Sequence, residues 1–228
     1  MSYNYDKTVV EGDLWYIENF LTQEELDFYK PFMDDKTGWY TTMRSPYKNI
    51  LNKFIENELP LNPDGSVNLP TKEDKILNYQ ILGRTNGLYS RIKKVMPPTV
   101  RSHSTLQTFK YCTDEEIKRD LNPNLNIKDP STVDFAMDWH SEWSTNSPTP
   151  EFYRSYSIYL NDDFEGGELE FKYKPYKIKP KAGMLVSVPV TTDFTHRVSK
   201  ITSGNWRHSL YGASWGDIKP ELSTPEVC

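Results

Sequence analysis

From about residue 100 onward, apolar and polar positions alternate along the chain in short runs. Turn signals such as NDDFEGG, KPKAG and KITSGN separate the runs. Alternation with a period of two is typical of β-strands that bury one face. Many short strands at hairpin spacing predict an all-β sandwich or barrel. The predicted strands are TLQTFKYC, FAMDWHSEW, YRSYSIYL, GELEFKY, GMLVSVPV and WRHSLYGASW.

The N-terminal part predicts an edge strand followed by a helix. Leu14–Phe20, LWYIENF, has the composition of an edge strand. In the next stretch, LTQEELDFYKPF, Thr22 and Glu25 have the spacing of a capping box, which predicts a helix that begins at about Gln23. Pro31 should kink or end this helix, because proline lacks the backbone donor that a helix interior uses.

A second helix is predicted in GLYSRIKKVMPP. Its apolar residues recur at helical spacing and form one face; they are Leu88, Ile92, Val95 and Met96. The basic residues Arg91, Lys93 and Lys94 are expected to be solvated, and the two prolines that follow should end the helix. Residues 44–75 are polar, contain the turn signal NPDGS and predict an irregular insertion. Together these elements predict two helices packed against a β-sandwich in one domain.

Length, charge and cysteine usage narrow the classes of function. The chain has 228 residues, enough for one sizeable domain, and its 36% hydrophobic content allows a buried core. The net charge of −5 gives no general attraction to nucleic acid or to an anionic membrane. Cys112 and Cys228 lack zinc-site spacing, and no disulfide framework is expected. With no leader-like start and no apolar run of membrane-spanning length, a cytoplasmic protein is expected.

The stretch FAMDWHSEWSTN places His140 and Glu142 two positions apart. On a strand, such positions point to the same face, roughly 6–7 Å apart, so both side chains can bind one metal ion. His–x–acid triplets also occur as surface polar pairs, and the motif alone leaves both readings open. Asp138, two positions before His140, is a fallback carboxylate on the same face.

Two further candidate site residues, His196 and Arg207, follow in the C-terminal strands. His196, in TDFTHRV, comes after the strand MLVSVPV, and Arg207 begins the last strand about eleven residues later. Between His140 and His196 lies a hairpin with Gly166 and Gly167, which are interpreted as turn glycines that supply a positive φ and not as a phosphate loop.

The remaining histidines and tryptophans have simpler interpretations. His103 has no acid nearby, and His208 should face the side of the strand opposite to Arg207, so both are interpreted as ordinary surface or core residues. Arg197, next to His196, should point away from the candidate site. Trp139 and Trp143 either wall a pocket or fill the sandwich.

Four stretches in this order, LQTFKY, WHSEW, YSIYLNDDFEGGELEF and HRVSKITSGNWRHSLYGASW, resemble the Fe(II)/2-oxoglutarate-dependent dioxygenase superfamily in its prolyl 4-hydroxylase-like branch. The resemblance covers residues 105–215 well and residues 44–100 weakly or not at all. It implies a mainly β fold with flanking helices (α+β), whose core is a double-stranded β-helix, or jelly roll. The expected organisation is a single domain over residues 1–215, with N-terminal helical support at about 14–100, the jelly-roll core at about 105–215, and a flexible tail at 216–228.

The resemblance implies that His140, Glu142 and His196 are the catalytic residues and the ligands of Fe(II). Two imidazoles and one carboxylate leave open positions on an octahedral iron for a co-substrate and O₂. The usual triplet of the family is His-x-Asp, whereas this chain has His-x-Glu. Glutamate is one methylene longer but keeps the negative charge, so metal binding should survive and oxygenation is favoured over halogenation.

For 2-oxoglutarate, the resemblance implies that Arg207 binds the far carboxylate, since a guanidinium offers a carboxylate two parallel donors. Tyr159 and Tyr111 match tyrosines at the same site, although packing in the core or at the surface is an open alternative for both. Ascorbate is the expected reductant.

The implied function is hydroxylation of a C–H bond, with prolyl residues in a peptide or protein as the expected substrate. A free amino acid or another small molecule is an alternative substrate, and a non-catalytic jelly-roll binding protein is an alternative class. O₂ is the other expected reactant. No nucleic acid or membrane partner is expected, which weighs against a nucleic-acid demethylase, and the oligomeric state stays open. The loop Thr113–Pro130 and the approach Glu151–Tyr153 are candidates for the border of a peptide groove.

Overall fold

A computed structural model describes residues 5–34, 40–41, 50–54, 87–88, 90–98, 100–103, 107–111, 135–141 and 152–216. β-Strands dominate this part of the chain, as the alternating pattern predicts. The strands are β1 Thr8–Glu11, β2 Leu14–Ile17, β3 Tyr40–Thr41, β4 Ile50–Phe54, β5 Val100–His103, β6 Gln107–Tyr111, β7 Phe135–His140, β8 Phe152–Tyr159, β9 Phe164–Gly166, β10 Leu169–Phe171, β11 Lys177–Ile178, β12 Leu185–Pro189, β13 His196–Ser199, β14 Ile201–Gly204 and β15 Arg207–Gly216.

The described strands form two principal sheets. The main sheet has nine strands in the order β1-β2-β12-β8-β15-β6-β4-β3, with β5 paired to the end of β15. The small sheet has the order β11-β10-β13-β7, and β14 pairs with β9 in a two-stranded ribbon. All these pairs are antiparallel. The prediction of a mainly β sandwich with flanking helices is therefore confirmed.

The apolar residues of the main sheet divide between two cores, one on each face. On β12, Val186 and Val188 join Phe171 and Val198 of the small sheet in the core between the two sheets. Leu185, on the opposite face of β12, packs in a second core that includes residues of the helices. Full burial of one such side chain stabilises the fold by about 1.5–3 kcal/mol, so both layers hold the main sheet in place.

Helix α1, Gln23–Asp34, begins where its capping box predicts. The backbone N–H of Thr22 donates to Glu25 Oε2 at 2.9 Å, and the N–H of Glu25 donates to the Thr22 hydroxyl at 3.3 Å. The helix does not end at Pro31, which lies inside it. Tyr29 and Met33, on either side of the proline, are both buried in the helix-side core, and this packing offsets the hydrogen bond that proline cannot make.

A second helical segment, α2, comprises residues 87–88 and 90–95. Its predicted apolar face is buried as expected, with Leu88, Ile92, Val95 and the following Met96 all 5% exposed or less. Lys93 and Lys94 are exposed, but the prediction is wrong for Arg91, which is buried.

The burial of Arg91 follows from the partners that α1 and the N-terminus provide. Its guanidinium forms an ion pair with Glu25, donates to the carbonyl oxygen of Phe20 and to Tyr5 Oη, and lies 4.9 Å over the Phe20 ring. A paired and stacked guanidinium can be buried in this way while its stem covers apolar surface.

Two strand assignments from the pattern need correction. Leu14–Phe20 is not the edge strand: β2 ends at Ile17 and lies between β12 and β1, which takes the edge. The polar segment 44–75 contains β4, which pairs with β6. Charged and amide side chains are tolerated near a sheet edge, where alternation is a weak signal.

Several predictions fall outside the described residues. They concern Cys112, Trp143, Cys228, the NPDGS turn, the loop 113–130, Glu151 and the tail from residue 217. Among the described residues, no helix is long and apolar enough to cross a membrane.

Candidate active site

His140 and His196 lie directly opposite each other on the antiparallel strands β7 and β13. Their ring centroids are 4.5 Å apart with an interplanar angle of 60°. Neighbouring strands in a sheet are about 4.8 Å apart, so the pairing alone brings the two imidazoles together. These residues are far apart in sequence, and the topology of the small sheet makes them neighbours.

Backbone carbonyls fix the tautomer of both rings. His140 Nδ1 is 2.7 Å from the carbonyl oxygen of Asp138, and His196 Nδ1 is 2.9 Å from that of Phe194. A carbonyl oxygen can only accept, so each Nδ1 donates its hydrogen. In the neutral ring, each Nε2 then carries a lone pair instead of a hydrogen, which is the form in which histidine binds a metal through that atom.

Aromatic side chains line the His196 end of this pair. His196 is buried, and the Phe171 ring centroid lies 6.1 Å from its own. Phe194 packs edge-on against Phe171 at 6.3 Å. This apolar wall limits the rotation of the imidazole and the access of water to one side of it. The sequence gives no motif for either phenylalanine beyond its apolar character.

The third predicted ligand, Glu142, lies outside the described residues. Within the described part of the chain, no three His, Cys, Asp or Glu side chains come together. Asp138 therefore gains no support as a substitute ligand. Its Oδ1 instead accepts the backbone N–H of Trp139 at 2.7 Å.

Arg207 and Tyr159 form a buried pair in the main sheet. Arg207 Nη2 donates to Tyr159 Oη at 3.1 Å, and its guanidinium carbon lies 4.8 Å over the Tyr159 ring. Arg207 is 2% exposed and Tyr159 is fully buried in the core between the sheets. A guanidinium held in this way presents a fixed positive charge inside the sandwich, as recognition of a carboxylate requires.

Gly167 packs against the aliphatic part of the Arg207 side chain, in addition to its role in the turn. The predicted positive φ is present at Gly166 (+77°) and Gly167 (+67°). In addition, a Cβ on Gly167 would lie 2.9 Å from Arg207 Cδ and 2.5 Å from Ile201 Cδ1. Gly167 thus makes room for the arginine, which the spacing of the motif does not reveal, whereas a Cβ on Gly166 would meet the carbonyl oxygen of Lys200.

The other predicted residues lie as follows. The backbone of Tyr111 pairs with that of Arg207 in the register of β6 and β15, and its side chain is outside the description, as is that of His103. His208 is a buried residue of the main sheet. It precedes Leu210 by two positions, and Leu210 belongs to the helix-side core, so His208 faces away from Arg207 as predicted.

Trp139 and Arg197 lie together on the outer face of the small sheet. The Arg197 guanidinium carbon is 4.7 Å over the Trp139 ring, and Arg197 Nε donates to Glu170 Oε2 at 2.6 Å. Arg197 therefore points away from the histidine pair, as expected, and the described contact of Trp139 is on this outer face.

A family model and several solved structures are similar to this chain. Residues 131–215 match the family model described as the 2OG-Fe(II) oxygenase superfamily. This range includes every predicted site residue except Tyr111. No curated protein sequence matches the chain significantly.

Solved structures share the fold at low sequence identity. A Pseudomonas putida prolyl-4-hydroxylase is 15% identical, with a TM-score of 0.53 and coverage of 89% of this chain and 92% of that one. A prolyl hydroxylase from Trichoplax adhaerens, solved with a hypoxia inducible factor oxygen degradation domain peptide fragment, is 13% identical, with a TM-score of 0.53 over 92% and 86%. An oxidoreductase of the 2OG-Fe(II) oxygenase family from Burkholderia pseudomallei is 16% identical, with a TM-score of 0.53 over 86% and 80%.

The family model covers the segment that contains the paired histidines and Arg207, and the surrounding sheets have the fold of the prolyl hydroxylases. Residues 131–215 are thus similar to the 2OG-Fe(II) oxygenase superfamily, and the described part of the chain has a prolyl hydroxylase-like fold.

Proposed function

We propose that this protein is an Fe(II)- and 2-oxoglutarate-dependent dioxygenase that hydroxylates a C–H bond. The observation that carries the proposal is the His140–His196 pair, whose Nδ1 atoms both donate to backbone carbonyls. The donor set fits ferrous iron, because imidazole nitrogen and carboxylate oxygen are the ligands of non-haem iron oxygenases. His140 and His196 would supply the nitrogens, and Glu142 the carboxylate.

The role of the protein in this chemistry is to bind and orient. When bound, Fe(II) and 2-oxoglutarate would supply the oxidising chemistry: O₂ would provide one oxygen atom to the substrate hydroxyl and the other to succinate, while 2-oxoglutarate would lose CO₂. His140 and His196 would be the nitrogen ligands of the metal, and the pairing of β7 with β13 holds them next to each other. Arg207 binds the far carboxylate of 2-oxoglutarate, and Tyr159 keeps the guanidinium oriented, with Tyr111 as a further candidate contact. Burial of Arg207 excludes water and strengthens its attraction to a carboxylate. Ascorbate is proposed as the reductant that keeps the iron ferrous.

Prolyl residues in a peptide or protein are the proposed substrate. The fold shared with the Pseudomonas and Trichoplax prolyl hydroxylases supports this choice, and the Trichoplax protein is bound to a peptide. A free amino acid or another small molecule is the alternative within the same chemistry. A cytoplasmic location is a prediction from the sequence.

The proposal can be tested with purified protein, Fe(II), ascorbate and 2-oxoglutarate. Proline-containing peptides, the same peptides with each proline replaced by alanine, and free amino acids are compared by mass spectrometry and by succinate release. A gain of one oxygen atom that depends on 2-oxoglutarate and on proline supports the proposal. A product from free amino acids alone would move the substrate to the alternative. No succinate from protein with bound metal would overturn the enzymatic function. His196→Ala is the inactive control.

A further inference from the structure

The outer face of the small sheet carries a row of four side chains, one on each strand. In strand order they are Lys177 on β11, Glu170 on β10, Arg197 on β13 and Trp139 on β7. Glu170 is paired in register with both Lys177 and Arg197. Its carboxylate accepts from Lys177 and, at 2.6 Å, from Arg197 Nε. Arg197 then lies over the Trp139 ring. This outer-face row connects all four strands of the sheet.

The outer-face row includes the position next to the histidines at which the pairing of β7 with β13 is irregular. His196 pairs with His140, and Val198 pairs with Met137. One residue of β13, Arg197, is therefore opposite two residues of β7, which is the arrangement of a β-bulge. A bulge leaves the backbone ladder locally disrupted. At this step the contact between Arg197 and Trp139 joins the two strands through side chains.

The position of this contact gives it a consequence for the site. Arg197 directly follows His196, and Trp139 directly precedes His140, so each member of the contact is the chain neighbour of one histidine. Glu170 fixes the guanidinium from the other side, and the exposed fractions of the two side chains are only 19% for Arg197 and 10% for Glu170. Their hydrogen bond is therefore weakly screened by solvent. Lys177, whose side chain is 58% exposed, contributes less.

We propose that Arg197 is a positioning residue, which, with Trp139 and Glu170, holds β13 and the bulged strand β7 at the spacing that lets His140 and His196 bind one metal ion. This inference rests on the proposed function, because it assumes that the two histidines are metal ligands. Arginine is required and lysine is inadequate, since the contact needs a planar group that stacks on the indole while it donates to the carboxylate.

The test is the affinity of the metal-free protein for Mn²⁺, measured by calorimetry without 2-oxoglutarate or substrate. Arg197→Leu and Trp139→Leu should each weaken binding by roughly tenfold, a size typical of groups that orient metal ligands. The direction of the Arg197→Leu result is informative, because removal of a cation close to a divalent metal site would by charge alone strengthen binding. Arg197→Lys should weaken binding although it keeps the charge, and Trp139→Phe, which keeps an aromatic face, should restore most of the affinity.

Lys181→Met is the matched control. It removes an ion pair of 2.7 Å with Glu18, between the turn that follows β2 and the loop that precedes β12, and should leave the Mn²⁺ affinity unchanged. Thermal unfolding of each metal-free variant separates the two possible roles, since a purely structural contact lowers the melting temperature without a change in affinity at temperatures where the variant is folded.

The outcomes distinguish this inference from the function on which it rests. Wild-type protein that binds Mn²⁺ while Arg197→Leu and Trp139→Leu bind it equally well would overturn the inference alone. Wild-type protein that binds no Mn²⁺ would overturn the proposed function together with it. If Arg197→Leu does not fold, Arg197→Lys and Trp139→Leu give the same decision.

Discussion

Arg207 and Tyr159 meet in two ways at once, through a hydrogen bond of 3.1 Å from Nη2 to the phenol oxygen and through the guanidinium lying 4.8 Å over the ring. The hydrogen bond uses one edge of the guanidinium, and the stacking on the Tyr159 ring fixes the plane of the whole group. A carboxylate that docks against it meets donors that are already oriented, which reduces the entropy lost on binding.

Arg207→Met should raise the apparent Michaelis constant for 2-oxoglutarate. The loss of a buried charge-assisted contact corresponds to about 2–4 kcal/mol, which is a change of roughly 30- to 1,000-fold. Tyr159→Phe keeps the ring but removes the hydroxyl and should cost only about 0.5–1.5 kcal/mol. Steady-state kinetics with varied 2-oxoglutarate measure both constants. An unchanged constant in Arg207→Met would assign the carboxylate to another residue.

Glu142→Ala should abolish turnover and weaken metal binding, because it removes the only carboxylate of the proposed ligand set. Glu142→Asp keeps the charge with a shorter reach and should retain measurable metal affinity. Mn²⁺ titration and succinate release test the two variants. Full activity of Glu142→Ala with one equivalent of iron bound would exclude Glu142 as a ligand.

Gly167→Ala should destabilise the protein and disturb Arg207 together. The added Cβ would be placed 2.5 Å from Ile201 Cδ1 and 2.9 Å from Arg207 Cδ at a φ of +67°, and overpacking of this kind costs about 1–3 kcal/mol. Urea unfolding should show the loss, and the Michaelis constant for 2-oxoglutarate should rise. A Cβ on Gly87 would meet no atom within 4 Å, so Gly87→Ala is the control in which both quantities stay near the wild-type values.

The contribution of Glu170 to stability should depend on pH. Burial acts to raise the pKa of its carboxyl group, but hydrogen bonds from Lys177 and Arg197 outweigh it and the pKa is lowered. A carboxyl group with a depressed pKa in the folded state stabilises the fold above its unfolded pKa, and this stabilisation is lost as the pH falls through the folded pKa. Wild-type protein should therefore exceed Glu170→Gln in unfolding free energy at neutral pH, with the gap closing in acid.

Urea unfolding of the metal-free proteins at pH steps from neutral to acid measures this gap. Metal-free samples keep the comparison independent of ligand protonation. A gap that is constant with pH would mean that Glu170 acts through packing and not through its charge.

Local sequence patterns predict much of the fold and part of the candidate site. Short runs of β-forming residues between turn signals identify β12 and β15, which are buried along most of their length. The spacing of His140 and the position of His196 at a strand start identify candidates that the sheet topology does bring together. Arg207 and His208 face opposite sides of one strand, as the period of two requires.

What the patterns miss depends on contacts between remote segments. The bulge in β7 is invisible in FAMDWH, because it arises from pairing with β13. The burial of Arg91 depends on Glu25 and Tyr5, which are distant in sequence. The carbonyl of Phe194 orients His196 only because a 3-10 turn at Thr192–Phe194 precedes β13. Side-chain chemistry suggests none of these arrangements.

The two-sided packing of β8 has a practical consequence for dissecting this protein. Tyr159 faces the interior between the sheets, whereas Ile158 belongs to the layer formed with α1 and α2, and β2 pairs directly with β12. A fragment that starts near residue 105 would keep every proposed ligand yet expose Ile158, Leu185 and Leu210 to water and leave β12 with a bare edge. Such a fragment should aggregate, so a soluble piece of this protein should also contain β2, α1 and α2.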